Sequence, residues 1–261
     1  MGCFMENVDR EIGYDPIALA EATEKVVVRG NERKYVQLGR KLRFYGGSIS
    51  ATEVGCNLRC KFCFSDKPVW KPSRVGKFYS PQEVFDGLGR AARKHGTKII
   101  SASASEGTIG KTHLLELLEL VDQSDHTYVL ETNGMSLGDD KAYVRDLKKF
   151  RNLHVRVSIK GCDAEEFHLL TGARRSAYEL PFQALQSLIE EGVSCNACLS
   201  VSFSDTKTIE SAKGRLHQLW PGLLKSLEIE RIKLFPKVKK RLAENKLRPI
   251  KVMPLQARRI S

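Results

Sequence analysis

The chain lacks long apolar runs: none of its segments reaches the roughly 18 consecutive apolar residues that a membrane-spanning helix needs. Its first residues, MGCFMENVDREIGY, lack the basic start and apolar centre of an export signal. Internal repeats and low-complexity segments are also missing, which excludes repeat architectures. We therefore expect a cytoplasmic globular protein with no membrane partner.

Acidic residues are scarce relative to basic ones: 31 Asp and Glu face 43 Lys and Arg, for a formal net charge of +12. The excess is concentrated at the C-terminus, where residues 232–261 hold ten Lys or Arg and one Glu. Such an end is typical of proteins that bind RNA or an acidic protein, and equally of a solvated helix and tail. A macromolecular substrate, protein or RNA, is compatible with this pattern.

Cysteine is present in an odd number, seven, which does not favour a framework of disulfides. Three of the seven, Cys56, Cys60 and Cys63, fall within eight positions. A chain of 261 residues with 41% apolar content can bury a core without a metal or disulfide. The clustered cysteines therefore indicate metal ligation in a reducing compartment.

Short β-branched or apolar runs alternate with helical patterns from Gly46 onward, as in βα units around a parallel sheet. The six predicted strands cover residues 48–54, 98–102, 127–131, 154–159, 194–201 and 227–233. Six strands are too few to close an eight-stranded barrel, so the pattern predicts an α/β fold with a partly open barrel of six βα units. Functional groups should follow the carboxyl ends of these strands.

Two helices have readable starts. Ser80, Pro81 and Glu83 provide the N-cap, first-turn proline and capping-box acid of a helix that should reach about Lys94. A second helix is predicted near residues 16–26, within a mixed and charged segment that covers residues 1–45.

The cysteine loop directly follows the first of the six predicted strands, so its three thiolates should converge at one edge of the sheet. A closed zinc site and a regular ferredoxin cluster each take four protein ligands. Four irons held by three thiolates leave one iron open, and an open iron can chelate a small molecule through an amine and a carboxylate. Zinc with a distant fourth ligand such as Cys162 is the alternative.

Cys56, Cys60, Phe62 and Cys63 form CxxxCxxC with an aromatic residue before the last cysteine, and here the chain resembles the radical S-adenosylmethionine superfamily. The resemblance implies a partial (β/α)6 barrel of the radical SAM type, with a [4Fe-4S] cluster on the three cysteines. It also implies that S-adenosyl-L-methionine binds the open iron and is cleaved to a 5'-deoxyadenosyl radical, which abstracts hydrogen from a substrate. Phe62 would pack near the adenine, and a flavodoxin- or ferredoxin-type protein would donate electrons.

Loops after later strands extend the resemblance. Ser103-Ala104-Ser105-Glu106-Gly107 stands where the family has Gly-Gly-Glu-Pro, which implies that Glu106 receives the methionine amino group. Both glycines and the proline are replaced, and glycine is the residue that most readily lets a backbone approach a ligand closely. A surface carboxylate is the alternative for Glu106.

Two further segments resemble the Asp-Thr-Asn-Gly and Asp-Leu-Lys segments of glycyl-radical-enzyme activases. They are Glu131-Thr132-Asn133-Gly134 and Ser158-Ile159-Lys160-Gly161. The resemblance implies cofactor-binding roles for Asn133 and Lys160, although an ion pair between Glu131 and Lys160 would also account for both charges.

Serine and cysteine residues near the fifth strand have weaker signals. Ser200 and Ser202 are candidates for ribose contacts or plain strand serines. Cys195 and Cys198 form a CxxC, but positions three apart on a strand point to opposite faces, which argues against an auxiliary cluster.

These patterns allow three functions and name no catalytic residue. The first is an activase-like enzyme that acts on a protein, and the second is modification of a nucleobase, a tRNA or a precursor. The third is a non-catalytic, zinc-containing RNA-binding module. We expect an N-terminal extension at 1–45, a radical SAM core at 46–234 and a basic C-terminal helix and tail at 235–261.

Overall fold

Nine β-strands form one sheet in the part of the chain that the structure, a computed structural model, describes, residues 12–253. The strands are β1 (Val28–Arg29), β2 (Glu32–Leu42), β3 (Ser48–Glu53), β4 (Lys77–Tyr79), β5 (Ile99–Ser103), β6 (Thr127–Thr132), β7 (Leu153–Lys160), β8 (Cys195–Ser200) and β9 (Glu228–Glu230). The α-helices are α1 (Pro16–Val27), α2 (Lys67–Trp70), α3 (Pro81–His95), α4 (Lys111–Asp122), α5 (Met135–Asp139), α6 (Lys141–Leu147), α7 (Ala164–Thr171), α8 (Leu180–Glu190), α9 (Thr206–Leu219), α10 (Gly222–Lys225) and α11 (Pro236–Glu244).

Six of these strands are parallel and follow one another in chain order, β3-β5-β6-β7-β8-β9. They correspond one to one to the six strands that the sequence predicts. The sheet is open, because β2 covers the edge of β3 and does not pair with β9. The predicted α/β fold with a partial barrel of six βα units is confirmed.

Apolar and polar residues alternate along β7 and so form the two faces of the sheet. Val155, Val157 and Ile159 are fully buried and belong to the main apolar core. Arg156 and Lys160 lie on the opposite face, because successive side chains of a strand point in opposite directions. That opposite face is polar and carries the charged groups of the candidate site.

The segment before β3 contains more structure than the sequence analysis predicts. The expected helix is present as α1, capped by Asp15, whose carboxylate accepts from the Ile17 amide at 2.8 Å. Strand β2, which the sequence pattern does not reveal, pairs antiparallel with β3 and extends the same sheet. Its buried positions hold Arg33 and Tyr35, so the usual alternation of apolar and charged residues does not appear.

The capping box predicted for α3 is confirmed. The Ser80 hydroxyl accepts from the Glu83 amide at 3.3 Å, and the Glu83 carboxylate accepts from the Ser80 amide at 2.8 Å. Gly96, in the left-handed region at φ +63°, ends the helix one residue beyond the predicted end.

The basic C-terminal helix expected within residues 235–261 is α11, which begins at Pro236. Val238 and Leu242 are the buried residues on its inner face. The following segment returns to the sheet edge, where the Ile250 amide donates to the Ser202 carbonyl at 2.7 Å. Residues 254–261, which include Arg258 and Arg259, lie outside the described residues. No α-helix among residues 12–253 is long and apolar enough to cross a membrane.

Candidate functional site

The cysteine loop begins directly after β3, at the edge where all six parallel strands end. Cys60 is buried, Cys56 and Cys63 are half-buried, and the Cys63 amide donates to the Cys60 carbonyl at 3.0 Å in a tight turn. Burial raises the pKa of Cys56 and raises that of Cys60 to about 12. A thiolate here needs a cation beside it, which iron would supply.

The loop supplies three cysteine thiols, fewer than the four ligands of a closed zinc site. Among residues 12–253, no three His, Cys, Asp or Glu side chains are grouped so that they could hold one metal ion. In a [4Fe-4S] cluster each thiolate binds a different iron. Cys162, the proposed fourth zinc ligand, is buried and directs its Sγ to the Ser200 carbonyl, 3.8 Å away.

Glu106 lies on the loop after β5 with only 1% of its surface exposed, so it is not a surface carboxylate. Its Oε1 accepts from the Thr108 and Thr132 hydroxyls at 2.7 and 2.6 Å and from the Thr108 amide at 3.2 Å. Its Oε2 accepts from the Asn133 amide at 2.8 Å. The carboxylate thus joins the loops that follow β5 and β6.

The backbone before Glu106 adopts a conformation that favours glycine, although Ala104 occupies the position. Ala104 adopts φ +75°, in the left-handed region that non-glycine residues enter at a cost of about 1–2 kcal/mol. The Ser105 hydroxyl donates to the Glu53 carbonyl at 2.9 Å, and the Glu106 amide donates to the Gly55 carbonyl at 3.0 Å. These bonds hold the loop against the start of the cysteine loop.

Asn133 connects Glu106 to the cysteines. Its side-chain amide donates to the Asn57 side chain at 2.7 Å and lies 3.9 Å from the Cys56 Sγ. Its carbonyl oxygen accepts from the Met135 amide at 3.0 Å. The structure thus brings the predicted residues Glu106 and Asn133 into one network with the cysteine loop.

Lys160 pairs with Glu230, a residue that the sequence analysis missed. The Lys160 Nζ lies 3.7 Å from the Glu230 carboxylate and donates to the Ser158 hydroxyl at 2.6 Å. Burial favours the neutral amine, but Glu230 and the Cys60 thiol outweigh it and raise the pKa of Lys160. Lys160 in turn lowers the pKa of Glu230. Glu230 is the last residue of β9 and lies within the sixth predicted strand, so an acid inside a strand was the available signal.

Glu131 bonds to Tyr45 and not to Lys160, the cation that its charge indicates. Its carboxylate accepts from the Tyr45 hydroxyl at 2.8 Å, so the alternative of a Glu131–Lys160 ion pair is wrong. Ser200 donates to Glu230 at 3.0 Å, which groups it with Lys160. The Ser202 hydroxyl instead accepts a hydrogen bond from the backbone amide of Ile232 at 2.8 Å.

Phe62 is buried and faces a second aromatic ring. Its centroid lies 5.9 Å from that of Phe203, with the ring planes inclined by 44°. The two rings offer an apolar surface beside the cysteine loop, of the kind that a planar base would contact.

Cys195 and Cys198 lie on regular strand β8, whose pairing with β7 continues without a shift from Cys195 to Ser200. The expectation that the two thiols point to opposite faces is therefore confirmed. Cys198 is fully buried, and its Sγ accepts from Arg156 at 2.8 Å.

Arg33 is the second important residue that the sequence analysis missed. From β2, its guanidinium donates to the carbonyls of Glu106 at 2.6 Å, Gly107 at 2.9 Å and Ile109. It also lies 3.6 Å from the buried carboxylate of Glu53. Arg33 thereby holds the loop that carries Glu106.

Comparison with known proteins agrees with this geometry. The family model of the Radical SAM superfamily matches residues 52–204, more than half of the chain. Streptococcus suis SuiB bound to S-adenosylmethionine is 17% identical with a TM-score of 0.51, covering 65% of this chain and 35% of SuiB. The complex of SuiB with its precursor peptide SuiA matches at the same identity and TM-score, over 64% of this chain and 35% of SuiB.

QueE from Escherichia coli is similar over a larger share of both chains. It is 15% identical with a TM-score of 0.51, covering 90% of this chain and 98% of QueE. The chain thus spans about a third of SuiB and nearly all of QueE. At these identities the likeness shows the fold, whereas the family match decides between an enzyme and a zinc-containing RNA-binding module. The chain belongs to the radical SAM superfamily, a family of enzymes whose cofactors are S-adenosylmethionine and a [4Fe-4S] cluster.

Proposed function

We propose that the chain cleaves S-adenosylmethionine at a [4Fe-4S] cluster held by Cys56, Cys60 and Cys63. The observation that carries the proposal is a loop with three buried or half-buried thiols at the carboxyl edge of the sheet, linked to Glu106 through Asn133. Held by these three thiolates, the cluster would supply the electron for cleavage of the carbon–sulfur bond of the sulfonium to methionine and a 5'-deoxyadenosyl radical. Hydrogen abstraction from the substrate by that radical would follow.

The other predicted site residues offer lone pairs, a positive charge or an aromatic ring to the cofactor. Glu106 Oε2 accepts one hydrogen bond from within the chain and so keeps lone-pair capacity for the methionine amino group. Lys160 would neutralise the methionine carboxylate, and Phe62 would contact the adenine. Ser200 retains lone pairs for a ribose hydroxyl, and Asn133 is placed to donate toward the sulfur of Cys56.

Glu106→Ala is expected to weaken S-adenosylmethionine binding roughly ten- to hundred-fold while the cluster stays, because a charge-assisted contact is worth about 1.5–3 kcal/mol. Isothermal titration of the reconstituted protein measures the affinity, and iron content measures the cluster. Thr132→Val is the matched control, since it removes one hydrogen bond to Glu106 and keeps the carboxylate. Equal affinity of Glu106→Ala and wild type for S-adenosylmethionine would show that Glu106 only joins the loops after β5 and β6 and does not bind the cofactor.

As substrate we favour a protein or peptide, in an activase-like reaction. Two observations support this choice: the segment Glu131-Thr132-Asn133-Gly134 resembles activases, and a structural relative is described in complex with a precursor peptide. Modification of a nucleobase, a tRNA or a precursor is the second candidate, and the basic C-terminal helix favours it. In either case a flavodoxin- or ferredoxin-type protein is the proposed electron donor.

Transfer of deuterium separates the two substrate classes. Cells that make this enzyme are grown in fully deuterated medium, and their protein and RNA fractions are incubated separately with the reduced holoenzyme. The 5'-deoxyadenosine that forms is then analysed by mass spectrometry. We expect deuterium in 5'-deoxyadenosine with the protein fraction, because the radical takes its hydrogen from the substrate. Deuterium only with the RNA fraction would contradict a protein substrate and support the second candidate.

A further inference from the structure

Two arginines connect the ends of the cysteine loop to a single aromatic ring. The guanidinium carbons of Arg59 and Arg241 lie 5.9 and 5.0 Å from the centroid of Trp70. Arg59 donates to the Cys56 carbonyl at 2.5 Å, and Arg241 donates to the Cys63 carbonyl. The first and last cysteines of the motif are thus held by cations that share one ring.

Arg241 comes from α11, well outside the part of the chain that the family model matches. Its side chain is only 15% exposed and also lies 3.9 Å from the Asp66 carboxylate. Lys237, one helical turn earlier, pairs with the same carboxylate at 2.7 Å. The helix that the sequence analysis assigns to a basic tail is therefore seated on the cysteine loop.

A largely buried guanidinium beside a cysteine ligand has an electrostatic consequence. Reduction adds negative charge to a cluster, and a nearby cation in a poorly solvated position stabilises that charge. Exposed lysines on the same helix are screened by water and salt and contribute much less. Among the charges of α11, Arg241 is both the least exposed of the cations and in contact with a cysteine of the motif.

We propose that Arg59, Trp70 and Arg241 form a clamp that fixes both ends of the cysteine loop, and that Arg241 raises the reduction potential of the cluster. The proposal rests on the proposed function, because it requires the cluster at Cys56, Cys60 and Cys63. It makes Arg241 a positioning residue and α11 a part of the site.

The test is a redox titration of anaerobically reconstituted protein, with the reduced cluster followed by electron paramagnetic resonance. Arg241→Gln should shift the midpoint potential to more negative values, because it removes the buried charge. Arg241→Lys keeps a charge and should fall between this variant and wild type. Lys240→Gln is the matched control on the same helix, since Lys240 is 79% exposed and should leave the potential unchanged.

A potential for Arg241→Gln equal to that of wild type, or a shift of the same size in Lys240→Gln, would overturn the proposal. If Arg241→Gln binds no cluster, recovery of the cluster in Arg241→Lys with unchanged melting of both apoproteins supports the clamp. Loss of the cluster in both variants together with lower melting temperatures contradicts it, since α11 would then only maintain the fold. Wild-type protein that binds no cluster would refute the proposed function instead.

Discussion

Cys60→Ala is expected to abolish both the [4Fe-4S] signal and the release of 5'-deoxyadenosine. Three thiolates hold a cluster that leaves one iron for the cofactor, so no ligand is to spare. Cys60 is the central cysteine of the motif and is buried, with 8% of its surface exposed. Wild-type protein should bind about four irons and four sulfides after anaerobic reconstitution. With a strong reductant, it should also release 5'-deoxyadenosine.

Cys195→Ala is the matched control for this experiment. Cys195 is a half-buried cysteine on β8 that belongs to no predicted ligand set. It should retain the iron content, the electron paramagnetic resonance signal and the cleavage rate of wild type. A Cys60→Ala protein that keeps the cluster and the cleavage would show that the cluster lies elsewhere and would remove the proposed function.

Arg33→Met is expected to lower the free energy of unfolding by about 3–5 kcal/mol, since it leaves a buried carboxylate without its cation. Arg33 and Glu53 are 1% and 2% exposed, and burial already raises the pKa of Glu53 despite the guanidinium beside it. The substitution also removes the donors for the carbonyls of Glu106, Gly107 and Ile109. Urea denaturation followed by circular dichroism measures the change.

Arg29→Met is the control from the same hairpin. Arg29 pairs with Glu32 at 2.9 Å, but its side chain is 67% exposed, so the loss should be about 0–1 kcal/mol. The double variant Arg33→Met/Glu53→Gln should regain part of the stability, because it removes the unpaired charge. A loss below about 1 kcal/mol in Arg33→Met would show that the buried pair contributes little and that other contacts hold the Glu106 loop.

The location of the cysteine loop could be predicted from sequence because each step in that prediction is local. Runs of β-branched residues separated by helical patterns mark βα units, and strand ends in such a sheet meet at one edge. Cys56, Cys60 and Cys63 follow the first of these strands, and Glu106 and Asn133 follow the next two. The order of the parallel strands then follows from the short connections between neighbours.

The partners of the charged groups could not be predicted, because they come from distant parts of the chain. Arg33 and Glu106 are 73 residues apart, and Cys63 and Arg241 are 178 residues apart. β2 has a buried arginine where a strand usually has an apolar residue, so its alternation is hidden. Charge alone does not choose between Glu131 and Glu230 as the partner of Lys160, since both acids lie near the carboxyl ends of strands.

The sequence by itself thus determined the family, the parallel sheet and the loop that carries the three cysteines, since local spacing encodes all of them. Only the tertiary structure decided that Arg33 supports the Glu106 loop, that Lys160 pairs with Glu230 and that α11 lies against the cysteine loop. The physical reason is that a buried charge is stable only beside its partner. Which partner it meets depends on how the elements pack.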